Sequence, residues 1–575
     1  MREGLTRLAP AVVLIAFAVP LFIGLGSFDL ASDEAIYSYA VDSILSTGDW
    51  LAPRSSPHPD EVFLEKPHLK LWIVAAPIRL GLLPLNEFGL RFWDALFGAF
   101  SFFYVFLIGR RLAGWVCGTV AGLVLFAHEP LIFDHGFRSN NMDAALVLAY
   151  CGGVYHYLRW ASASPGASRG AHIGAVLAFF YLGFMSKFVA ALFLPAVLGL
   201  AALAVPAHRA RLIEDRGRWT VSIAITIAAI LPWFIYQHVQ HGPEFWIVLL
   251  GEHVVTRLTT YVDPAHVQPW YFYAVESFRQ FQRSGSAIWI GVGLAILLVN
   301  VLRRRTPDGV VVLLWATLPS IAISFGNSKL YHYFYPFLPP LAIAAGYGVA
   351  VISRAVAQFV PRRNSERRWA TPRAYVAGAI VLLSIGFIVA TAATGTLQIY
   401  AGDQLLFRNS SLLRPAILGL AGLALIDLRA AIGCAAVLAL STVFLTPVTA
   451  YPRNLARLAI EHRPLASIAD CVHRIDEHRE QSGFVPGAYG PVSDAFLHQY
   501  FFYFRGTGWV SPEVDDSQLR TALFVSGQER VVIIDNAAYS AFLERTADAG
   551  PLPAAITHQR ALVLLPGAYR ECRGS

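Results

Sequence analysis

The stretch AHIGAVLAFFYLGFMSKFVAALFLPAVLGLAALAV, residues 171–205, holds a single Lys, Arg, Asp or Glu side chain, Lys187, near its middle. A spanning helix needs roughly 20 mostly apolar residues. A run this long, interrupted by one ammonium, reads as two helices, 171–186 and 188–206, joined where the charge stands. The rest of the chain follows the same pattern. Of 575 residues, 56% are hydrophobic and 14% charged, whereas soluble domains carry about 25% charged residues. Backbone groups in hydrocarbon are satisfied only in helices or in a closed barrel. The apolar runs are long and do not alternate with polar residues, which excludes the barrel and predicts an all-α polytopic membrane domain.

Thirteen spans are expected, at 8–27, 88–109, 112–132, 141–160, 171–186, 188–206, 219–238, 286–302, 309–325, 332–353, 374–396, 412–427 and 430–448. The first run follows Arg2 and Arg7 without a small-residue cleavage site, so it reads as a retained helix. Leu69 to Leu83 contains Pro77 and Arg79 and reads as a helix lying in the interface. With the N-terminus inside, the inner loops hold Arg110–Arg111, Arg159 with Arg169, Arg209 to Arg218, Arg303–Arg304–Arg305, the cluster from Arg354 to Arg373, and Arg429. That is the positive-inside pattern. It accounts for the net charge of +7 without nucleic acid. The segment 361–373 reads as a solvated, orienting basic loop.

The opposite loops include two large ones, 28–87 and 239–285. An odd span count also places 451–575 outside. There Pro, Gly and charges return, strands are expected at Val531–Asp535 and Ala561–Leu565, and helices at Leu465–Glu480 and Ala537–Ala549. The expected organisation is a membrane domain over 1–450 and a small extracytoplasmic α/β domain over 451–575. The five cysteines form no CxxC or Cys/His cluster, so they give no zinc or haem framework. Cys471 and Cys572 both fall in the exported tail, where pairing is open to them.

Ionisable residues gather on the outer side: Asp33-Glu34, Glu65-Lys66, Arg138 and Asp143, Lys187, Glu252-His253 and Arg257, and Lys329 with His332 and Tyr333. Their side is set by other residues, the inner-loop arginines. The chain has four lysines, Lys66, Lys70, Lys187 and Lys329, and all four are outer. Ammonium is a compact charge that binds phosphate as a point. Such a set suits an anionic headgroup whose tail stays in lipid, with cations stabilising a phosphate leaving group. A carboxylate at the same place acts as general base on an acceptor hydroxyl, and Asp33 is the candidate. Trp50, Trp72, Trp270 and Tyr271 read as interfacial anchors, and His128, His135 and His156 as packed or interfacial.

The order Asp33-Glu34, Gly48-Asp49-Trp50-Leu51-Ala52-Pro53, then Glu65-Lys66-Pro67-x-Leu69-x-x-Trp72 resembles the first extracytoplasmic loop of GT-C glycosyltransferases. The likeness is to the branch of the bacterial aminoarabinose (lipid A) transferase and the protein O-mannosyltransferases. It continues through Arg91, Arg138-x4-Asp143, Ser186-Lys187, Glu252-His253-x3-Arg257 and Lys329-x3-Tyr333-x2-Pro336, and covers about the first 340 residues.

The resemblance implies an inverting transferase in the bacterial inner membrane. Its donor would be a polyprenyl-phosphate sugar, usually undecaprenyl phosphate, and its acceptor an envelope lipid, glycan or protein. Asp33 matches the catalytic carboxylate and Asp143 a second acidic position, with Glu34 and Arg138 in support. Lys66, Arg257 and Tyr333 match phosphate-holding positions, to which Lys187 and Lys329 are added. No cofactor is required; Glu65 and His253 match positions able to hold a structural zinc.

The chain departs from the pattern at three places. His68 stands for a second Pro after Lys-Pro, Phe188 for Gly, and His332 where a Pro precedes Tyr333. The alternative reading is a lipid or glycolipid flippase. Transporters usually show paired repeats and midplane sites, whereas this chain has no evident repeat and its charges gather at one face.

Overall fold

The computed structural model describes residues 14–574 apart from 32, 57–61, 165–166, 262, 305, 359–371, 427, 429–430, 432–433, 436–461, 479–486, 490–493, 505–515, 526–528, 547–551 and 559–560. The start of the first expected span, most of the basic loop 361–373 and most of the span 430–448 therefore lie outside the described residues.

The described residues form two compact units: 1–24, 65–70 and 94–460 make the larger, and 25–64, 71–93 and 461–575 the smaller. Among described residues, six helices are long and apolar enough to cross a membrane: Glu87–Ala113, Ser168–Ala204, Arg216–Thr259, Ala287–Arg304, Pro307–Ser324 and Tyr331–Gln358. Shorter apolar helices lie at Trp115–Phe126, Tyr375–Thr391 and Arg414–Leu425. The expected count of thirteen is thus met only in its coarser form, a mainly helical multi-span chain. Leu69–Arg79 is an 11-residue helix with Pro77 inside, too short to span.

The 37-residue stretch Ser168–Ala204 is a hairpin. Helix Ala167–Lys187 gives way to a 3-10 turn at Phe188–Leu192, and the chain resumes as helix Phe193–Ala204. Phe188 has φ +50°, the left-handed region that side chains seldom enter. The neighbouring helix Asp143–Ser162 shows the reversal. Its Gly152 meets Phe179 and its Ala149 meets Gly183, while Gly153 meets Leu194 and the Tyr150 hydroxyl donates to Ala190 O at 2.7 Å. One limb therefore runs antiparallel to that helix and the other returns beside it, with Lys187 at the bend.

Glycine sets the closest helix contacts, as membrane packing favours small residues. A Cβ on Gly293 would collide with the Ala344 carbonyl, and one on Gly346 with the Cys117 carbonyl; one on Gly348 would sit 2.8 Å from Gly293 Cα. Helices Trp115–Phe126, Leu338–Gln358 and Ala287–Arg304 are thus in backbone contact. An antiparallel hairpin that the sequence reading did not anticipate, Leu397–Ala401 with Gln404–Asn409, turns at Gly402, whose φ is +59°.

In the smaller unit a four-stranded sheet has the order Gly487–Tyr489, Val532–Asp535, Ala561–Leu565, Ala554–His558. The first pair is parallel and the others antiparallel. The expected strands and helices of this region appear as Val532–Asp535, Ala561–Leu565, Pro464–His478 and Asn536–Arg545. Val532, Ile534, Leu564 and Phe542 form its buried core. Cys471 and Cys572 are joined in a disulfide 101 residues apart in sequence.

Two outcomes follow. Gly293→Val should lower the melting temperature of the detergent-solubilised protein, because overpacking costs about 1–3 kcal/mol; Gly291→Val, which meets open space, should not. Equal melting temperatures would remove the glycine contact from the stability argument. Replacing Cys471 and Cys572 together by Ser should cost about 2–5 kcal/mol, read as earlier unfolding of the smaller unit, and the wild type should show the same loss under reductant.

Candidate functional site

Charged side chains from well-separated stretches of the larger unit meet in one cluster. Lys66 Nζ lies 3.2 Å from Glu65 Oε2, and His253 Nε2 lies 3.7 Å from the same oxygen. The Arg257 guanidinium donates to the Tyr333 hydroxyl. The Lys187 ammonium stands 5.5 Å from the centre of the Tyr333 ring and forms an ion pair with Asp143. His135 and Lys66 are also within electrostatic range of Asp143.

Local structure explains each placement. Asp143 is the first residue of helix Asp143–Ser162 and Lys187 the last of Ala167–Lys187. The helix dipole favours an anion at the first position and a cation at the second. Their side chains are 2% and 12% exposed, so each needs the other's charge. His253 sits in a π-helical segment, Ile247–Thr256, directly before Arg257. Such widened turns are frequent at functional sites. Tyr333 lies in the 3-10 turn Tyr331–Phe337.

Burial alone would raise the Glu65 carboxyl, but Lys66, His253 and Arg257 together hold it below the usual carboxylate range. It is therefore ionised at neutral pH. The buried Nε of Arg257 and the Ser186 hydroxyl have no hydrogen-bond partner among the described residues. A buried donor left without a partner costs about 1–3 kcal/mol, a deficit that the oxygens of a bound anion would remove.

The zinc expectation does not fit these residues. Glu65 and His253 are two ligands, while a structural zinc takes four, and the Lys66 ammonium already lies on the carboxylate oxygen that faces His253. Among described residues no group of three or more His, Cys, Asp or Glu is placed to hold a metal.

Two expected site residues point elsewhere. The buried Lys329 ammonium donates to Gln268 O at 2.7 Å and to Gly326 O, and its own N–H bonds His266 O at 2.8 Å. Burial lowers its pKa. It clasps the 264–268 loop to the 326–329 turn. Arg138 donates to the carbonyls of Leu21, Ile23 and Gly24, each at 2.8 Å. It closes the C-terminal end of the helix at 14–22, whose last carbonyls lack helical partners.

Sequence reasoning missed two features. Lys70 pairs with Asp94 at 2.8 Å, both side chains almost wholly buried, and also donates to Asn140 at 2.8 Å. His135 and His332 stack with ring centres 4.5 Å apart. Nothing in spacing links residues so distant; the only sequence signal was the unusual His332 beside Tyr333.

In the smaller unit, Asp33 opens helix Asp33–Thr47 and is partly exposed. Glu34 is 4% exposed and receives Arg91 through two bonds of 2.6 and 2.8 Å. The same guanidinium donates to the carbonyls of Leu25, Phe28 and Asp29 at 2.8–3.1 Å. Asp29 in turn accepts from the backbone of Leu465 and Ala466. Glu87 accepts from Arg463 at 2.7 Å and from the Tyr503 hydroxyl at 2.8 Å, and that hydroxyl accepts from Leu30 N. Glu34 thus fixes the chain leading into Asp33.

Residues 65–236 match the family model described as dolichyl-phosphate-mannose-protein mannosyltransferase. An undecaprenyl phosphate-alpha-4-amino-4-deoxy-L-arabinose arabinosyl transferase from Pseudomonas fluorescens (strain Pf0-1) is 28% identical over 353 residues, 59% of this chain and 58% of that protein. A transferase of the same description from Pseudomonas paraeruginosa (strain DSM 24068 / PA7) is 25% identical over 357 residues, 62% of each chain. The matched region thus spans about three-fifths of the length of these curated relatives. The solved structure of ArnT from Cupriavidus metallidurans bound to undecaprenyl phosphate superposes with a TM-score of 0.64 at 19% identity, covering 97% of this chain and 98% of that one. Its apo state gives 0.61 at 17% identity, covering 96% and 97%. In sequence the chain is similar to the aminoarabinose transferases, and its fold is that of the solved ArnT structures.

Proposed function

We propose that the protein is an inverting glycosyltransferase that moves a sugar from a polyprenyl-phosphate donor to a cell-envelope acceptor at the outer face of the bacterial inner membrane. The observation that carries this reading is the gathering of Lys66, Lys187, Arg257 and Tyr333 in one cluster, in which the buried Nε of Arg257 has no partner among the described residues. Point ammonium charges, a guanidinium and a hydroxyl suit a phosphate better than a neutral sugar. The names of the relatives, which describe undecaprenyl-phosphate sugar donors, agree with it.

In this mechanism the cations hold the donor phosphate and stabilise the charge that appears as the anomeric C–O bond breaks. Asp143 sets the Lys187 ammonium. Glu65 sets Lys66, and Tyr333 sets Arg257. Asp33 accepts the proton of an acceptor hydroxyl; on a phosphate acceptor, already ionised, it has little to remove. Lys329 and Arg138 hold the loop and the helix end that carry neighbouring parts, and Glu34 with Arg91 steadies Asp33.

The proposed organisation is a membrane catalytic domain over 1–450, with its N-terminus cytoplasmic, and an extracytoplasmic domain over 451–575. The arginine-rich inner loops support this orientation. So does the Cys471–Cys572 disulfide, since such bonds persist in oxidising compartments.

The test is transfer of a labelled sugar from a panel of polyprenyl-phosphate sugars to an envelope lipid extract by the purified protein. Asp33→Asn should lower kcat by about 10²–10⁴ with a hydroxyl acceptor and far less with a phosphate acceptor; unchanged turnover on the hydroxyl substrate would remove Asp33 from the mechanism. Lys66→Ala and Arg257→Ala should each lower kcat/KM for the donor about 10–100-fold, the loss of one charge-assisted contact of about 1.5–3 kcal/mol. Donor kinetics indifferent to both would break the phosphate assignment.

A further inference from the structure

The stacked imidazoles of His135 and His332 answer to no part of that mechanism, yet they lie inside the same cluster. Their rings are parallel within 3° at 4.5 Å, and His332 meets the Tyr333 ring edge-on at 4.8 Å. Tyr333 is the residue that binds Arg257 and underlies Lys187. Lys187, Lys66 and Arg257 are all within electrostatic range of His332. On the other side, Asp134 Oδ1 accepts from His135 Nδ1 at 2.8 Å, which leaves Nε2 as the nitrogen that takes a further proton. Asp134 itself is 71% exposed. The backbone holds this arrangement at a cost: His135 has φ +54°, a conformation that costs a side-chain-bearing residue about 1–2 kcal/mol and concentrates at functional sites.

Charge matching shows what the pair can do. With imidazoles neutral, the cations Lys66, Lys187 and Arg257 stand against the carboxylates Glu65 and Asp143; Asp134, 71% exposed, is largely screened by water, so one positive charge in the less exposed part of the cluster remains uncompensated. A sugar phosphodiester donor carries one negative charge and is matched. When the anomeric C–O bond breaks, the electron pair stays on the phosphate oxygen and the leaving monoester tends toward two negative charges. Cations around an imidazole disfavour its proton, and an added anion favours it. Two imidazoliums at 4.5 Å repel, whereas one protonated ring over a neutral one gains cation–π attraction. The pair is therefore built to hold one proton.

Resting on the transferase reading above, we propose that His135 and His332 form a proton-linked phosphate subsite: the pair takes up one proton from water as the polyprenyl phosphate monoester forms, and supplies the charge its second negative oxygen needs. The balance closes, because a hydroxyl acceptor releases one proton in the same turnover. His332 is the ring nearer the phosphate-holding Tyr333, and His135, oriented by Asp134, shares the charge.

The experiment is calorimetric binding of undecaprenyl phosphate to the full-length protein in detergent. It is run at pH 7 in two buffers of different ionisation enthalpy, and again across pH 6 to 8. Wild type should take up about one more proton on binding than His332→Phe. Its affinity should fall more steeply with rising pH, by up to about tenfold per pH unit relative to the variant. The phosphate's own titration is common to both proteins and cancels in the comparison. His135→Asn, whose side chain tolerates the left-handed backbone, keeps the fold testable and should lose most of the uptake. Equal proton uptake in wild type and both variants overturns the proposal. If the wild type fails to bind undecaprenyl phosphate at all, the donor reading falls instead, and the two failures are distinct.

Discussion

A lysine in the middle of an apolar run persists only if something neutralises it, and here that something is Asp143. The Lys187–Asp143 ion pair joins the bend of one helical hairpin to the start of the preceding helix, where each charge also meets the helix end that favours it. Breaking such a pair leaves an uncompensated buried charge, which costs about 3–5 kcal/mol. Tyr333 packs against the ammonium and takes the Arg257 guanidinium, so the cluster is assembled outward from this contact. The pair is less a source of stability than a registry device: it fixes where the hairpin turns, and with it which side chains face one another.

The sequence made the membrane class and the cluster legible because both are written in charge. The arginine-rich loops are expected on one side and the four lysines on the other, and Lys66, Asp143, Lys187, Arg257 and Tyr333 were each visible as an ionisable or hydroxyl group near a helix end. What charge could not reveal is the direction in which a side chain points. Lys329 and Arg138 carry the same signal as Lys187, yet they serve backbone carbonyls of the 326–329 turn and of the helix at 14–22. The hairpin Leu397–Asn409 went unread because its apolar residues adjoin two spans, and its alternation of Leu397, Gln398 and Ile399 is only a few residues long. His135 and His332 stack through the fold alone.

Arginine has a second use in this chain beyond orienting loops. Arg91 and Arg138 are both nearly buried, and each gathers several carbonyls from a segment where regular structure stops. A guanidinium presents five donors in a fixed fork, so it can finish irregular backbone that neither water nor another helix would reach. In the smaller unit this lets Glu34 neutralise Arg91 while the turn ahead of Asp33 is tied down. On the proposed mechanism, the Asp33 carboxylate next to such a tether has little freedom to drift, which is what preorganisation at a reacting centre requires.

The glycine contacts of Gly293, Gly346 and Gly348 divide the larger unit by stiffness. Where backbones touch, one helix cannot slide without a neighbour's peptide groups giving way, so those helices behave as a single beam. Few residues of the long helical stretch Arg216–Thr259 are buried, and a break at Gly242, with φ 56° and ψ −137°, interrupts it. Compliance is drawn from elements with few packed neighbours. On the proposed mechanism, an isoprenoid chain approaching from the bilayer would find this helix more yielding than the glycine-packed ones.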